Sequence, residues 1–239
     1  MNYILLVLLT GFQGIDSITS VKWVEVGVGQ TLTIPCHYDA RYSSCNEVFA
    51  RFLWNYWRTI VDSTSYSLFL MSDDPTQRLF TVTMKNMKQT DTGWYRCGCE
   101  GSVYHGVYIS VTDSPRLYVG SQYVTGHVGG SVDIYCNYNR VYGEKKWCRI
   151  DGHCAGGNYN YISGLSVEMS GSDSYVRIGV LNVTLRHLQE SNTGWYYCSV
   201  GDLQVSVHIT VTQNTTTQET STMPTGNTPT PKTINTGRH

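Results

Sequence analysis

The residues with chemistry to offer are eight cysteines: Cys36, Cys45, Cys97, Cys99, Cys136, Cys148, Cys154 and Cys198. Thiols this numerous either ligate a metal or oxidise in pairs. Cys97-Gly98-Cys99, and the run from Cys148 to Cys154 with His153, supply soft ligands. Neither has the paired Cys-x2-Cys spacing of a structural zinc site. An even number of cysteines behind an apolar N-terminal run belongs to an exported, oxidised chain. The expectation is therefore disulfides and no metal. Catalytic constellations are missing from the sequence. Its seven histidines are scattered, and it contains no HExxH, GxSxG or phosphate loop. Asp73-Asp74 reads as a solvated turn before Pro75. The chain reads as non-enzymatic, with no cofactor.

Pairing cysteines requires strands to carry them, and the sequence supplies a set twice. Leu32-Thr33-Ile34-Pro35-Cys36-His37-Tyr38 matches Val132-Asp133-Ile134-Tyr135-Cys136-Asn137-Tyr138. Asp91-Thr92-Gly93-Trp94-Tyr95-Arg96-Cys97 matches Asn192-Thr193-Gly194-Trp195-Tyr196-Tyr197-Cys198. This is a duplicated unit. Apolar residues recur at every second position, as in Leu32, Ile34 and Cys36, or Val205, Val207, Ile209 and Val211, which is the period of a strand. Short strands separated by Gly, Asn, Asp and Ser, without helical periodicity, predict an all-β protein of two tandem V-type immunoglobulin sandwiches. Cys36 is expected to pair with Cys97 and Cys136 with Cys198, at separations of 61 and 62 residues. Tyr95 and Tyr196, two before the second cysteine of each pair, have tyrosine-corner spacing, and Trp147 sits at the core position of the third strand. Cys148 and Cys154 suit a bridge between neighbouring strands. Cys45 and Cys99 lie in loops that meet at one end of the first sandwich and are expected to staple them.

The ends differ from the middle. Residues 1–20 read as a signal peptide, since Ile4–Leu9 are all apolar but too few to span a bilayer. Domain 1 is expected at 21–112 and domain 2 at 116–212. Residues 213–239 hold ten threonines and Pro224, Pro229 and Pro231, a composition that predicts a disordered Thr/Pro-rich stalk. No apolar run follows, so the expectation is a protein that is secreted or displayed outside the plasma membrane, with no span in the sequence read. Seventeen Lys and Arg against eighteen Asp and Glu leave a net charge of −1, which argues against nucleic-acid binding. Asn182-Val183-Thr184 and Asn214-Thr215-Thr216 are glycosylation sequons at Asn182 and Asn214. Ligand contact is expected from loops at one end of domain 1, around 38–48, 58–65 and 100–106, with Arg41, Tyr42, Tyr104 and His105 as candidates.

Gly93-Trp94-Tyr95-Arg96-Cys97, Gly194-Trp195-Tyr196-Tyr197-Cys198 and Lys145-Lys146-Trp147-Cys148 with its nearby Cys154 resemble the polymeric immunoglobulin receptor-like family and its leukocyte mono-immunoglobulin-like receptor relatives, fish members especially. The resemblance covers about Val21 to Thr212. It implies a receptor ectodomain that binds polymeric immunoglobulin or another extracellular protein. It leaves open a leukocyte receptor or soluble decoy for lipid or another surface ligand, or a homophilic adhesion module. In domain 1, Arg51-Phe52-Leu53-Trp54 stands where the family has a Lys-Tyr-Trp-Cys type motif. On that alignment Leu53 replaces the core tryptophan, unless Trp54 or Trp57 fills it.

Overall fold

Burial alternates along the longer runs that carry the core, such as Tyr104–Thr112 and Ser131–Asn139, and the alternation builds the sheets. In Ser131–Asn139, Val132, Ile134, Cys136 and Tyr138 are buried while Ser131, Asp133 and Tyr135 are exposed. The computed structural model describes residues 18–44, 46–60, 68–101, 103–156, 160–171 and 178–213. The strands of the first domain are β1 (Ile18–Ser20), β2 (Trp23–Gly27), β3 (Leu32–Tyr38), β4 (Glu47–Leu53), β5 (Tyr56–Thr59), β6 (Phe69–Asp74), β7 (Leu79–Met84), β8 (Gly93–Cys99) and β9 (Tyr104–Thr112). Those of the second are β10 (Leu117–Val119), β11 (Tyr123–His127), β12 (Ser131–Asn139), β13 (Lys145–Arg149), β14 (Cys154–Ala155), β15 (Tyr161–Ile162), β16 (Leu165–Ser170), β17 (Ile178–Arg186), β18 (Gly194–Val200) and β19 (Leu203–Thr212).

Each domain is an immunoglobulin-type sandwich of two sheets. Domain 1 sets a back sheet, β1-β3-β7-β6, against a front sheet, β2-β9-β8-β4-β5. Domain 2 repeats this with β10-β12-β17-β16-β15 and β11-β19-β18-β13-β14. Pairing is antiparallel except at one edge, where β2 runs parallel to β9 and β11 parallel to β19. The N-terminal segment of each domain thus starts in the back sheet and crosses to the front. The first described strand of domain 1, Ile18–Ser20, precedes Val21 and falls within the segment expected as leader. Ile18 and Ser20 are buried on β3, opposite Tyr38 and Cys36. The rest of the expected leader, Cys45, Asn214 and the stalk lie outside the described residues.

Inward cysteines tie the sheets together. Cys36–Cys97 joins β3 to β8 and Cys136–Cys198 joins β12 to β18, with Cα atoms 6.3 and 6.5 Å apart. Cys148–Cys154 links β13 to β14. Beside each sheet-to-sheet bridge an aromatic pair stacks: Trp147 on Tyr196 at 5.4 Å in domain 2, and Phe49 on Tyr95 at 5.5 Å in domain 1. Phe49 therefore holds the core position that Leu53, Trp54 or Trp57 was expected to fill. It faces Cys97 across β4 and β8 as Trp147 faces Cys198 across β13 and β18. Trp54 is 91% exposed in the turn after β4. The family-like alignment is displaced by four residues because Ala50 occupies the place of Cys148, leaving no cysteine to mark the strand.

The domains meet along a polar and apolar seam. The back sheet of domain 1 lies on the front sheet of domain 2. The Gln122 carboxamide accepts from Thr33 N (2.9 Å) and donates to Thr33 O (3.1 Å), and Ser206 Oγ also donates to Thr33 O (2.9 Å). Leu79 packs with Ile150 and Trp195. The connection is held by Arg116, whose guanidinium and backbone N–H both donate to the buried carboxylate of Glu25.

Candidate binding surface

The expected contact loops converge at one end of domain 1. Ala40–Tyr42 form a 3-10 turn capped by Asp39, whose carboxylate accepts from Arg41 N (3.0 Å) and Arg41 Nε (3.3 Å). These hydrogen bonds, the backbone one foremost, hold the Asp39 carboxyl below its ordinary pKa. Arg41 is exposed, with its guanidinium 5.8 Å from the Tyr42 ring centroid. Tyr42 packs half-buried against the core. The segment after this turn meets the β8–β9 turn through Glu100 N, which donates to Asn46 O (3.0 Å). Tyr104 accepts from Gly101 N at its hydroxyl (3.1 Å). Gly98 permits the turn, since a Cβ there would stand 2.2 Å from Val103 O. The middle of the second expected loop, 61–67, lies outside the described residues.

His105 is a correction. It was expected in an exposed loop, but it lies within β9 opposite Cys97 and is buried. Its neighbours in β9 show why: Val107 and Ile109 continue the same inward face. Tyr104, one position earlier, faces out. The structure therefore brings Arg41, Tyr42 and Tyr104 to one end, while His105 turns inward and borders a groove that runs toward domain 2.

A second surface adjoins these loops on the outer face of the domain 1 front sheet. Trp23, Tyr108 and Trp94 lie side by side across β2, β9 and β8, edge to face at 5.3 and 5.2 Å. Beside them the Arg96 guanidinium lies 3.9 Å from the Tyr104 ring centroid and 4.6 Å from that of Trp57, a cation–π sandwich that fixes its orientation. Trp57 in turn contacts Phe52 at 5.2 Å. Exposed Trp94, Trp23, Phe52 and Tyr104 make this an aromatic face with one clamped cation. A groove of about 620 Å³ runs from Trp23, Trp94 and Tyr104 to Gly201 and Gln204 of domain 2. The signal was present in the alternation itself: Trp94 and Arg96 are the outward partners of inward Tyr95 and Cys97. A reading directed at the core face passes over them.

Other expected residues have structural surroundings. The Tyr95 hydroxyl donates to Asp91 O (2.6 Å) and the Tyr196 hydroxyl to Asn192 O (3.0 Å). Burial pushes the Tyr95 phenol up to about 12 and raises that of Tyr196. Asn182 lies on the outward side of β17 between buried Leu181 and Val183. Cys99 is buried at the end of β8.

The solved ectodomain of a teleost fish polymeric immunoglobulin receptor is 32% identical to this chain, over 82% of this chain and 98% of that one, at a TM-score of 0.37. The chain belongs to the polymeric immunoglobulin receptor family. It is the sequence identity over nearly the whole fish ectodomain that carries this, not the superposition. The polymeric immunoglobulin receptor of Rattus norvegicus is 23% identical over 84% of this chain and 29% of its own length. Human protein CD300H is 28% identical over 38% of this chain and 49% of its own length. No family model matches. The chain spans under a third of the length of the polymeric immunoglobulin receptors of rat and mouse that it matches. Among the described residues no helix is long and apolar enough to cross a membrane.

Proposed function

We propose that this chain is the ligand-binding ectodomain of a non-enzymatic receptor, secreted or held on the extracellular side of the plasma membrane, and that it binds polymeric immunoglobulin through domain 1. The observation that carries the reading is the 32% identity to the fish polymeric immunoglobulin receptor ectodomain across nearly all of that chain. The geometry supports it. One end and one face of domain 1 present exposed Arg, Tyr and Trp on a disulfide-tied scaffold, the residue types that dominate protein–protein contacts. The Asn182 sequon lies on β17, in the back sheet of domain 2. The likeness to CD300H favours a second reading, a leukocyte receptor ectodomain for another surface ligand.

Surface plasmon resonance of the purified chain on polymeric immunoglobulin of the same species, with monomeric immunoglobulin as control, separates the two. Saturable binding that prefers the polymer is the expected result. No binding at micromolar concentration removes the first reading and leaves the second.

A further inference from the structure

Arg96 stands in the middle of the domain 1 front sheet with no anion to meet it. Its cross-strand neighbours are Ala50 of β4 and Gly106 of β9, so nothing bulky rises beside it in the sheet. The walls come from further off. The guanidinium lies 3.9 Å from the Tyr104 ring centroid and 4.6 Å from that of Trp57, and exposed Trp94 is two positions back on the same face of β8. The Arg96 Nε is buried and has no hydrogen-bond partner. Among the described residues the side chain forms no ion pair. Domain 2 is built otherwise. The residue corresponding to Arg96 is Tyr197, whose hydroxyl lies 3.9 Å from Cys154 Sγ. Cys148–Cys154 fills the ground that Ala50 and Thr59 leave open in domain 1. A bridge and a phenol thus stand where domain 1 has a cation in an aromatic cup.

The complement of such a cation follows from its bonding. Ring faces hold a guanidinium by cation–π attraction but do not neutralise it. A charge partly withdrawn from water gains most from a hydrogen-bonded counter-ion. A guanidinium fixed before the ligand arrives loses little entropy on binding, and its planar fork matches one carboxylate through two hydrogen bonds. The rings around it offer stacking surface for C–H groups. Beyond them, the groove that starts at Trp94, Tyr104 and Gly106 continues to Lys22, Asp202 and Gln204. Gln204 Oε1 accepts from Lys22 N (2.7 Å), which leaves the amide N–H groups of Gln204 to donate to a ligand. Its volume, about 620 Å³, is that of a small-molecule site with a few placed polar groups.

We infer that the outer face of the domain 1 front sheet binds a saccharide that carries a carboxylate. Arg96 takes the carboxylate, Trp94, Tyr104 and Trp57 take the C–H face of the sugar ring, and Asp202 and Gln204 take its hydroxyls. An acidic peptide fits less well. Asp202 repels a run of carboxylates, and the single clamped cation serves one of them. The strands on either side of β8 already pair with it, so a peptide main chain finds no open sheet edge there. The inference goes beyond the polymeric immunoglobulin reading and does not rest on it. It leaves the domain-end loops to that partner.

The test is calorimetry and saturation-transfer NMR on the full chain, desialylated first so that its own glycans do not compete. The probes are sialyllactose, with its carboxylate on a terminal sugar, a hyaluronan tetrasaccharide, with carboxylates on uronic acids, neutral lactose, and a polyglutamate peptide. Saturable binding of at least one acidic sugar at millimolar concentration, and none of lactose, is the expected result. Arg96→Lys keeps the charge but loses the fork, so affinity falls about tenfold or more while the melting temperature stays near wild type. Trp94→Ser, at an exposed position, removes stacking surface and weakens the same binding without touching the clamp. The proposal is overturned if neither acidic sugar saturates, if lactose binds as well as they do, or if both variants bind at wild-type strength. Polyglutamate that binds more tightly than either sugar, and is lost in Arg96→Lys, shows an acidic-peptide site and overturns the saccharide assignment. Polymeric immunoglobulin binding is read separately on the same preparation, so the two readings fail independently.

Discussion

Single hydroxyls and rings do much of the structural work. Tyr196 is buried, and its hydroxyl closes the strand corner by donating to Asn192 O. Tyr196→Phe keeps the ring on Trp147 and removes that hydrogen bond, so urea titration is expected to show a loss of about 1 kcal/mol. Trp147→Ala empties the space beside Cys136–Cys198 and is expected to lose about 3–5 kcal/mol by the same measurement. The corner tyrosines are legible in sequence because a two-residue offset from a cysteine marks them. Phe49 is not, because nothing beside it in sequence marks its strand position. His105 shows the complementary difficulty: a polar side chain one residue after a turn reads as loop until the inward register of β9 is known. The front-face residues Trp23, Trp94 and Arg96 were visible as outward positions of alternating runs. Alternation separates two faces but does not say which of them a ligand will cover.

At the scale of strands, the repeat predicts most of the architecture and its exceptions teach most. Period-two runs and paired cysteines are enough to set the sandwich, since each inward set must find another inward set to bury against. Domain 2 locks β13 to β14 with Cys148–Cys154, and domain 1 has Ala50 opposite Thr59 at the corresponding place. In both hairpins the next pair along exchanges a backbone hydrogen bond: Ile60 N to Phe49 O in one, Arg149 N to His153 O in the other. Both sites therefore fall at the closely spaced, non-hydrogen-bonded register. Ala50→Cys with Thr59→Cys is expected to oxidise spontaneously and raise stability by about 2.7 kcal/mol, the chain-entropy value for a loop of about ten residues. Non-reducing peptide mapping and a thermal melt check both parts. A pair that stays reduced would show that the longer β4–β5 hairpin does not share the geometry of its counterpart.

For the molecule as a whole, the seam between domains is where pH acts. His37 and His208 lie on its two sides, and burial lowers the pKa of each below the ordinary 6.5. Around His37, Asp151 and Asp39 oppose the shift while Arg78 and Arg149 add to it. A histidine held neutral in the folded state binds fewer protons than in the unfolded chain. Its contribution is therefore complete above about pH 6.5 and is lost as pH falls through the lowered folded value. The melting temperature is expected to drop between pH 7.5 and pH 5, and His208→Gln should flatten the slope. An unchanged melting temperature across that range would exclude the seam histidines as a source of pH dependence.

The parallel edge pairs have a consequence for synthesis. Trp23 on β2 finds its partner Tyr108 only after about 85 further residues have been made. At ordinary translation speeds that is a wait of roughly 4 to 17 s. Cys97 emerges before Tyr108, so the Cys36–Cys97 bond can close while β2 is still unpaired. A first domain oxidised at that stage would have a front sheet without its edge strand, with Trp23 exposed. Until β9 arrives, that open edge is where a folding assistant or a neighbouring nascent chain would attach.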